Sequence, residues 1–433
     1  MNKMYRTLLA TLLLLGVALT VAAQPRSVAE GNDPYRTRLI PYATDAAARE
    51  RQLTKQRYMQ PIVEWVAVED GVLRGEFTYP FSWVERQVLL RVEHAAQPYE
   101  VWVNGKCAGG STNGFAAAEY NITKLSREDK NSVELRLLDD APVEKIECFD
   151  QEGSSSHPTV YIISQPRVRV RDIFWRTTRG KATTLLADFG VVMQNQTLGE
   201  KTSRIYYEIF LNDTIRLTGG QRDVALGMHG VDTMRFGASL PDSLLWSVGK
   251  SHNVTLHLKN RIGGRDVEFY ALPVALRELS YEGGKIYING EELNIEWCKM
   301  SPTSSLADVE SAYTAGCRAI RFTAGDVDDA ILDYCDAQGI CVALTTPINS
   351  SLSGMSRRRG GNPSNDPAWR NHYVERSKQL IFTTQRHPSV VAYYLADDSA
   401  NGICLYESYL AMKAIANGRP IFYDAGGNEW NTD

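Results

Sequence analysis

The chain has 433 residues, 43% hydrophobic and 23% charged, enough for about three ordinary folded domains. Its 47 basic and 51 acidic side chains leave a net charge of −4, so no global charge directs it to nucleic acid or to a strongly charged partner.

Lys3 and Arg6 precede an apolar run from Leu8 to Val21, and Val21-Ala22-Ala23 before Gln24 fits the small-x-small cleavage rule. Residues 1–23 are expected to be a secretory signal peptide, with an apolar core too short to span a bilayer. The mature chain is thus expected in the periplasm, at the cell surface or secreted. No Cys marks a lipid anchor at the cleavage point, and no later segment is apolar enough for a membrane span. Export permits disulfides. The cysteines at 107, 148, 298, 317, 335, 341 and 404 are odd in number and lack metal-type spacing. Cys317, Cys335 and Cys341 lie in apolar contexts and read as core residues. Neither a disulfide framework nor a zinc site is expected, and no cofactor.

From Val63 to Ile163, GEFTYPF, QVLLRVEH, YEVWVNGK, SVELRLLDD and TVYIIS alternate apolar and polar residues, as half-buried antiparallel strands do. Asn104-Gly105 is a two-residue hairpin signal. Residues 24–165 are expected to form a jelly-roll β-sandwich after an N-terminal extension. After Pro166, RVRVRDIFWRTT, TTLLADFGVVMQN, SRIYYEIFLND, DTMRFGASL and NVTLHLKN continue the strand texture, and residues 166–275 suit an immunoglobulin-like sandwich.

Near Ile286 the texture changes. KIYINGEELNIEW is a hairpin turning at Asn289-Gly290, and helices and strands then alternate. LADVESAYTAGC is a helix capped by Ser304 or Ser305, AIRFTA a strand, and VDDAILDYCDAQG a helix closed by Gly339. ICVALTT is a strand, DPAWRNHYVERSKQLIFTTQ a helix with Asp366 as cap and Pro367 at its first position. VVAYYLA is a strand, LYESYLAMKAIANG a helix, and PIFYDAG a fifth strand. Repeated βα units mean a parallel sheet or barrel over residues 276–433.

At this point the sequence resembles the family 2 glycoside hydrolases. YEVWVNGKCAGGSTNGFAAAEYNIT looks like the family's sugar-binding jelly-roll signature, and LLWSVGKSHNVTLHLK is similar to the end of its immunoglobulin-like domain. ALRELSYEGGKIYINGEELNI looks like the start of its TIM barrel. HPSVVAYYLADDSANG and RPIFYDAGG are similar to barrel strands four and five.

The resemblance implies retaining chemistry with a glutamate acid/base at the end of strand four and a glutamate nucleophile at the end of strand seven. The family's Asn-Glu pair aligns with Asp397-Asp398, which makes Asp398 the acid/base candidate. Retaining enzymes hold their carboxyls about 5–5.5 Å apart. Asp is one methylene shorter than Glu, and a misplacement of roughly 1 Å can cost about a hundredfold. The five strands read here do not include strand seven, so no nucleophile is named. Arg321 after strand two and Asp424 after strand five are substrate-binding candidates. Other family positions differ: Cys298-Lys299-Met300-Ser301 after strand one, Thr323-Ala324-Gly325-Asp326 after strand two, and Leu344-Thr345 after strand three.

Each candidate has a plainer alternative. Asp397, Asp398 and Ser399 can cap the helix beginning near Leu405, and Arg321 can be the ion-pair partner of Asp397. Arg357, Arg358 and Arg359, in the loop 351–366, can favour an anionic glycan or simply face solvent. Trp83, Tyr99 and Trp102 can form a sugar-stacking platform, although one face of that strand must be core.

The fold expected is multidomain β plus α/β: a jelly-roll β-sandwich, an immunoglobulin-like β-sandwich and a truncated TIM-like (β/α) barrel. An eight-stranded barrel takes about 250 residues, so five strands are expected to leave open edges and to expose Val390, Tyr393, Ile421 and Tyr423. A homodimer or partner chain can cover them. The leading functional expectation is a carbohydrate-associated protein of β-galactosidase-like ancestry with weak or absent hydrolysis. The alternative is an active exo-β-glycosidase using Asp398 and a nucleophile from a partner chain.

Overall fold

The computed structural model describes residues 39–433 apart from 52–56, 96, 115, 139–141, 149–157, 182, 359 and 427–429. The signal-peptide segment and Arg359 lie outside the described residues.

Alternating patterns become antiparallel sheets. The first sandwich pairs a five-stranded sheet, with Val72–Tyr79, Asp129–Leu137 and Tyr99–Val103 at its centre, with a four-stranded sheet built on Thr159–Gln165 and Gln87–His94. In Tyr99–Val103 the odd positions Tyr99, Val101 and Val103 are fully buried, so the pleat sends them into the shared core with Trp83, Leu90 and Leu135. Asn104 and Gly105 both take positive φ, 49° and 76°, as the two central residues of a tight hairpin turn require.

The second sandwich stacks a three-stranded sheet, Val168–Arg179, Thr184–Asn195 and Val231–Pro241, on a four-stranded one. The four-stranded sheet contains two strands that the alternation did not show, Ile215–Leu226 and Arg265–Pro273. Both are edge strands. In IRLTGGQRDVAL only Val224 and Leu226 are buried, so little apolar patterning is needed there.

The α/β unit holds one parallel sheet in chain order: β1 (Cys298–Met300), β2 (Ala319–Phe322), β3 (Cys341–Thr345), β4 (Val390–Tyr394) and β5 (Ile421–Phe422). Helices α1 (Leu306–Thr314), α2 (Asp329–Gln338), α3 (Arg370–Thr384) and α4 (Ile403–Ile415) lie between the strands. Local chemistry sets their ends. Ser305 and Asp308 form a reciprocal capping box on α1, and Gly339 closes α2 at φ 70°. Asp366 caps a short 3₁₀ turn, Pro367–Trp369, that leads into α3.

Two expectations fail here. Val390, Tyr393, Ile421 and Tyr423 are not exposed: all four are at most 3% accessible and pack with Leu332, Tyr373, Leu405 and Met412 under the helices. The other sheet face, with Ala319, Cys341 and Val391, is closed by Trp246, Ile288 and the hairpin that precedes β1. The outer edge of β5 is paired as well. The Asp433 N–H donates to Ile421 O at 2.9 Å, and Asp433 Oδ2 accepts from Ile421 N at 2.7 Å.

The second correction is a disulfide between Cys298 and Cys317. Cys298 sits opposite Ile320 across the parallel pair β1–β2, which brings Cys317 to a Cα separation of 6.3 Å, within bonding reach. An apolar setting in sequence is blind to that proximity. The bridge closes the segment carrying α1, and reduction is expected to cost about 3 kcal/mol. Denaturant titration with and without reductant checks this, using Cys317→Ser as the control that no longer responds.

Candidate active site

The parallel strands all point their carboxyl ends one way, so the residues just after them converge. They line a cavity of about 300 Å³ formed by Lys299, Arg321, Thr323, Asn349, Asp397, Asp398, Tyr423 and Asp424, with Cys148 reaching in from the first sandwich. All four sequence candidates, Asp397, Asp398, Arg321 and Asp424, therefore meet in one place.

Arg321 is the centre. Its guanidinium lies 2.7 Å from Asp424 Oδ2 and 3.7 Å from Asp397 Oδ1, and stacks on the Tyr394 ring at 3.5 Å. Asp397 is further held by the Ala324 N–H, which donates to its Oδ2 at 2.6 Å. Burial pushes the Asp397 carboxyl above its ordinary value, against the lowering effect of that N–H and of Arg321. Asp398 is different: its side chain is exposed to the cavity, while its carbonyl accepts from Ser350 N–H at 3.1 Å.

The raised Asp397 value has a sign. The folded state holds this proton more tightly than the unfolded chain, so its contribution is present in acid and is lost as pH rises through the folded value. Asp397→Asn is expected to gain stability relative to the wild type as pH rises from about 4 toward neutral. Parallel melting curves across that range check it.

Residues 304–432 match the family model described as "Glycosyl hydrolases family 2, TIM barrel domain". The chain is 24% identical over 380 residues to a β-galactosidase of Psychromonas ingrahamii, covering 82% of this chain and 36% of that protein. It is 20% identical over 376 residues to one of Priestia megaterium, covering 80% and 36%. The chain is thus similar to members of glycoside hydrolase family 2. Its fold is that of a Bacteroides uniformis β-glucuronidase 2 solved with a covalently bound cyclophellitol-6-carboxylate aziridine, at TM-score 0.68 and 16% identity over 81% of this chain and 46% of that one. A family 2 member from Bacteroides cellulosilyticus superposes with TM-score 0.68 and 15% identity, covering 81% and 47%. The chain spans about 36% of the length of the β-galactosidases it matches.

Several plainer alternatives also resolve. Asp397, Asp398 and Ser399 do not cap the next helix: α4 starts after Gly402, which makes no side-chain cap bond. Three residues separate Ser399 from α4, and the Ser399 hydroxyl instead accepts from Ser350 N–H at 3.1 Å, tying the loops after β3 and β4. The ion-pair alternative for Arg321 holds, with Asp424 as its nearer partner. Arg357 turns to the Asn401 carbonyl at 3.0 Å, and neither it nor Arg358 lines the cavity. The stacking platform does not form. Trp83 and Tyr99 are core residues at 1% and 0% exposure, and Trp102 is covered by Arg136 at 3.9 Å.

Sequence reasoning missed Cys148, Asn349 and Tyr423. Tyr423 directly precedes Asp424 and was reachable by strand position. Cys148 was not, since it comes from another domain and is placed by paired bonds, Cys148 N to Asn349 O and Asn349 N to Ile146 O, at 2.9 and 2.7 Å. Among the described residues one group has metal-ligand character, Asp333, Asp336 and His387, away from the cavity. Asp336 is already spent there, with Oδ2 2.7 Å from His387 Nδ1 and Oδ1 accepting from Ser389 N–H at 3.0 Å. That arrangement serves as an ion pair tying α2 to the loop before β4.

Proposed function

We propose that this chain is an exported, carbohydrate-associated member of family 2 that uses the cavity around Arg321 to bind a β-glycoside, with weak or absent hydrolysis. The observation carrying this reading is the engagement of the cavity's carboxylates. Arg321 neutralises Asp424 and lies near Asp397, whose other oxygen is committed to Ala324 N–H. Asp398 is the one left open to the cavity, and it is an aspartate where the resemblance implies a glutamate. Hydrogen-bonding groups on Lys299, Asn349 and Asp398, beside the Tyr423 ring, suit a polyhydroxylated ligand.

The test is hydrolysis of aryl β-galactoside, glucuronide, mannoside and glucoside by the mature chain and by Asp398→Ala, alongside calorimetric binding of the parent sugars. Binding in both proteins with no turnover in either supports the reading. Turnover that Asp398→Ala abolishes would replace it with an active glycosidase, and the search for the second carboxylate would begin.

A further inference from the structure

A second cleft opens at the opposite, amino-terminal end of the parallel sheet, where the second sandwich meets the α/β unit. It encloses about 290 Å³ and takes its walls from Phe174 to Thr178, the segment 275–280 before the hairpin, the loop before β4, and Asn417 to Arg419 before β5. Four of its lining residues are arginines, Arg176, Arg277, Arg386 and Arg419, against one carboxylate, Glu278.

Arg277 and Arg419 converge. Arg277 Nη2 donates to the Val390 carbonyl at 2.7 Å, and Arg419 Nε donates to the same oxygen at 2.8 Å. Arg419 spends its other nitrogens on the Ala416 and Gln385 carbonyls, at 3.4 and 2.8 Å. Every hydrogen bond of the pair is thus to backbone. Among the described residues neither guanidinium has a carboxylate within salt-bridge distance. The nearby Asp336 is held by His387 and Ser389. Burial, and then the Arg419 charge, press the Arg277 value down from its ordinary one.

Two polar atoms at this cleft are buried without a hydrogen-bond partner among the described residues, Arg277 Nε and Thr177 Oγ1, and Thr177 is only 6% exposed. Buried donors left unpaired are costly, and two like charges drawn to one carbonyl more so. A neutral ligand can satisfy the donors but not the charge. A small oxyanion does both, because guanidinium forks match its oxygens.

We propose that this cleft binds a tetrahedral oxyanion of the sulfate or phosphate class, free or as an ester on a larger molecule, between Arg277, Arg419 and Thr177. Isothermal titration of the mature chain with sodium sulfate and with sodium phosphate, at ionic strength held constant with sodium chloride, tests it. The expected result is saturable binding and a sulfate-dependent rise in melting temperature that chloride does not reproduce. Arg277→Met should weaken the affinity more than tenfold. Should that variant fail to fold, Thr177→Val, which keeps the side-chain shape, should still weaken it about threefold. Equal responses to sulfate and chloride, or wild-type affinity in Thr177→Val, would overturn the proposal. Galactose 6-sulfate separates the two sources: competition with inorganic sulfate assigns an ester-bearing glycan, and its failure alongside bound sulfate assigns the free ion.

Discussion

Arg376→Ala is expected to lower the stability of the chain by about 3 to 5 kcal/mol, because it strands a buried carboxylate. Arg376 is 1% exposed on α3 and lies 2.5 Å from Glu147, whose side chain is 6% exposed. It also donates to Thr112 O at 2.8 Å and Pro347 O at 3.3 Å, so one guanidinium joins two loops of the first sandwich to the loop after β3. Beside it, Asn113 Nδ2 donates to Gln379 Oε1 at 2.8 Å. Burial pushes the Glu147 carboxyl above its ordinary value even with Arg376 present. Loss of Arg376 should raise it further. The deficit should then be smallest in acid, where Glu147 is protonated, and grow as pH rises through the folded value. Glu147→Gln in turn leaves the buried Arg376 guanidinium charged and without its counter-ion, so at pH 8 its cost should be comparable to that of Arg376→Ala. Urea denaturation of both variants at pH 5 and 8 tests the comparison and the pH trend. Equal losses at both pH values would show that packing, not charge, sets the effect.

Arg321→Ala should have the next largest effect, about 2 to 3 kcal/mol in stability and at least a tenfold loss of any sugar affinity. The Arg321 and Asp397 side chains are 15% and 13% exposed, so Asp397 loses a partner where water compensates little. The Asp424 side chain is 66% exposed, and its pairing adds little. Arg321→Lys should not restore the wild type, since an ammonium cannot both stack on Tyr394 and reach two carboxylates. Melting curves and calorimetry on the two variants check both parts. A fully rescued lysine variant would reduce Arg321 to a point charge.

The site was legible where chemistry follows strand position. Asp397 and Asp398 stand directly after an apolar run, Arg321 and Asp424 lie at the ends of two other strands, and parallel strands deliver their ends to one place. What those residues do there was not legible. Whether Asp397 and Ser399 cap α4 or cross-link loops depends on where the loops after β2 and β3 pass, and that is set by contacts 73 and 49 residues apart in sequence.

The same division runs through the molecule. By itself the sequence determined the alternating strands of both sandwiches, the turns at Asn104-Gly105 and Asn289-Gly290, and the caps at Gly339 and Asp366, and it narrowed the α1 cap to Ser304 or Ser305. Each rests on backbone preferences and hydrogen bonds spanning a few residues. Only the tertiary structure decided the Cys298–Cys317 bridge, the burial of Val390, Tyr393, Ile421 and Tyr423, the Arg376–Glu147 tie and the meeting of Arg277 with Arg419. These join groups brought together by chain folding, and a charge or thiol in sequence carries no record of the partner that packing will place beside it.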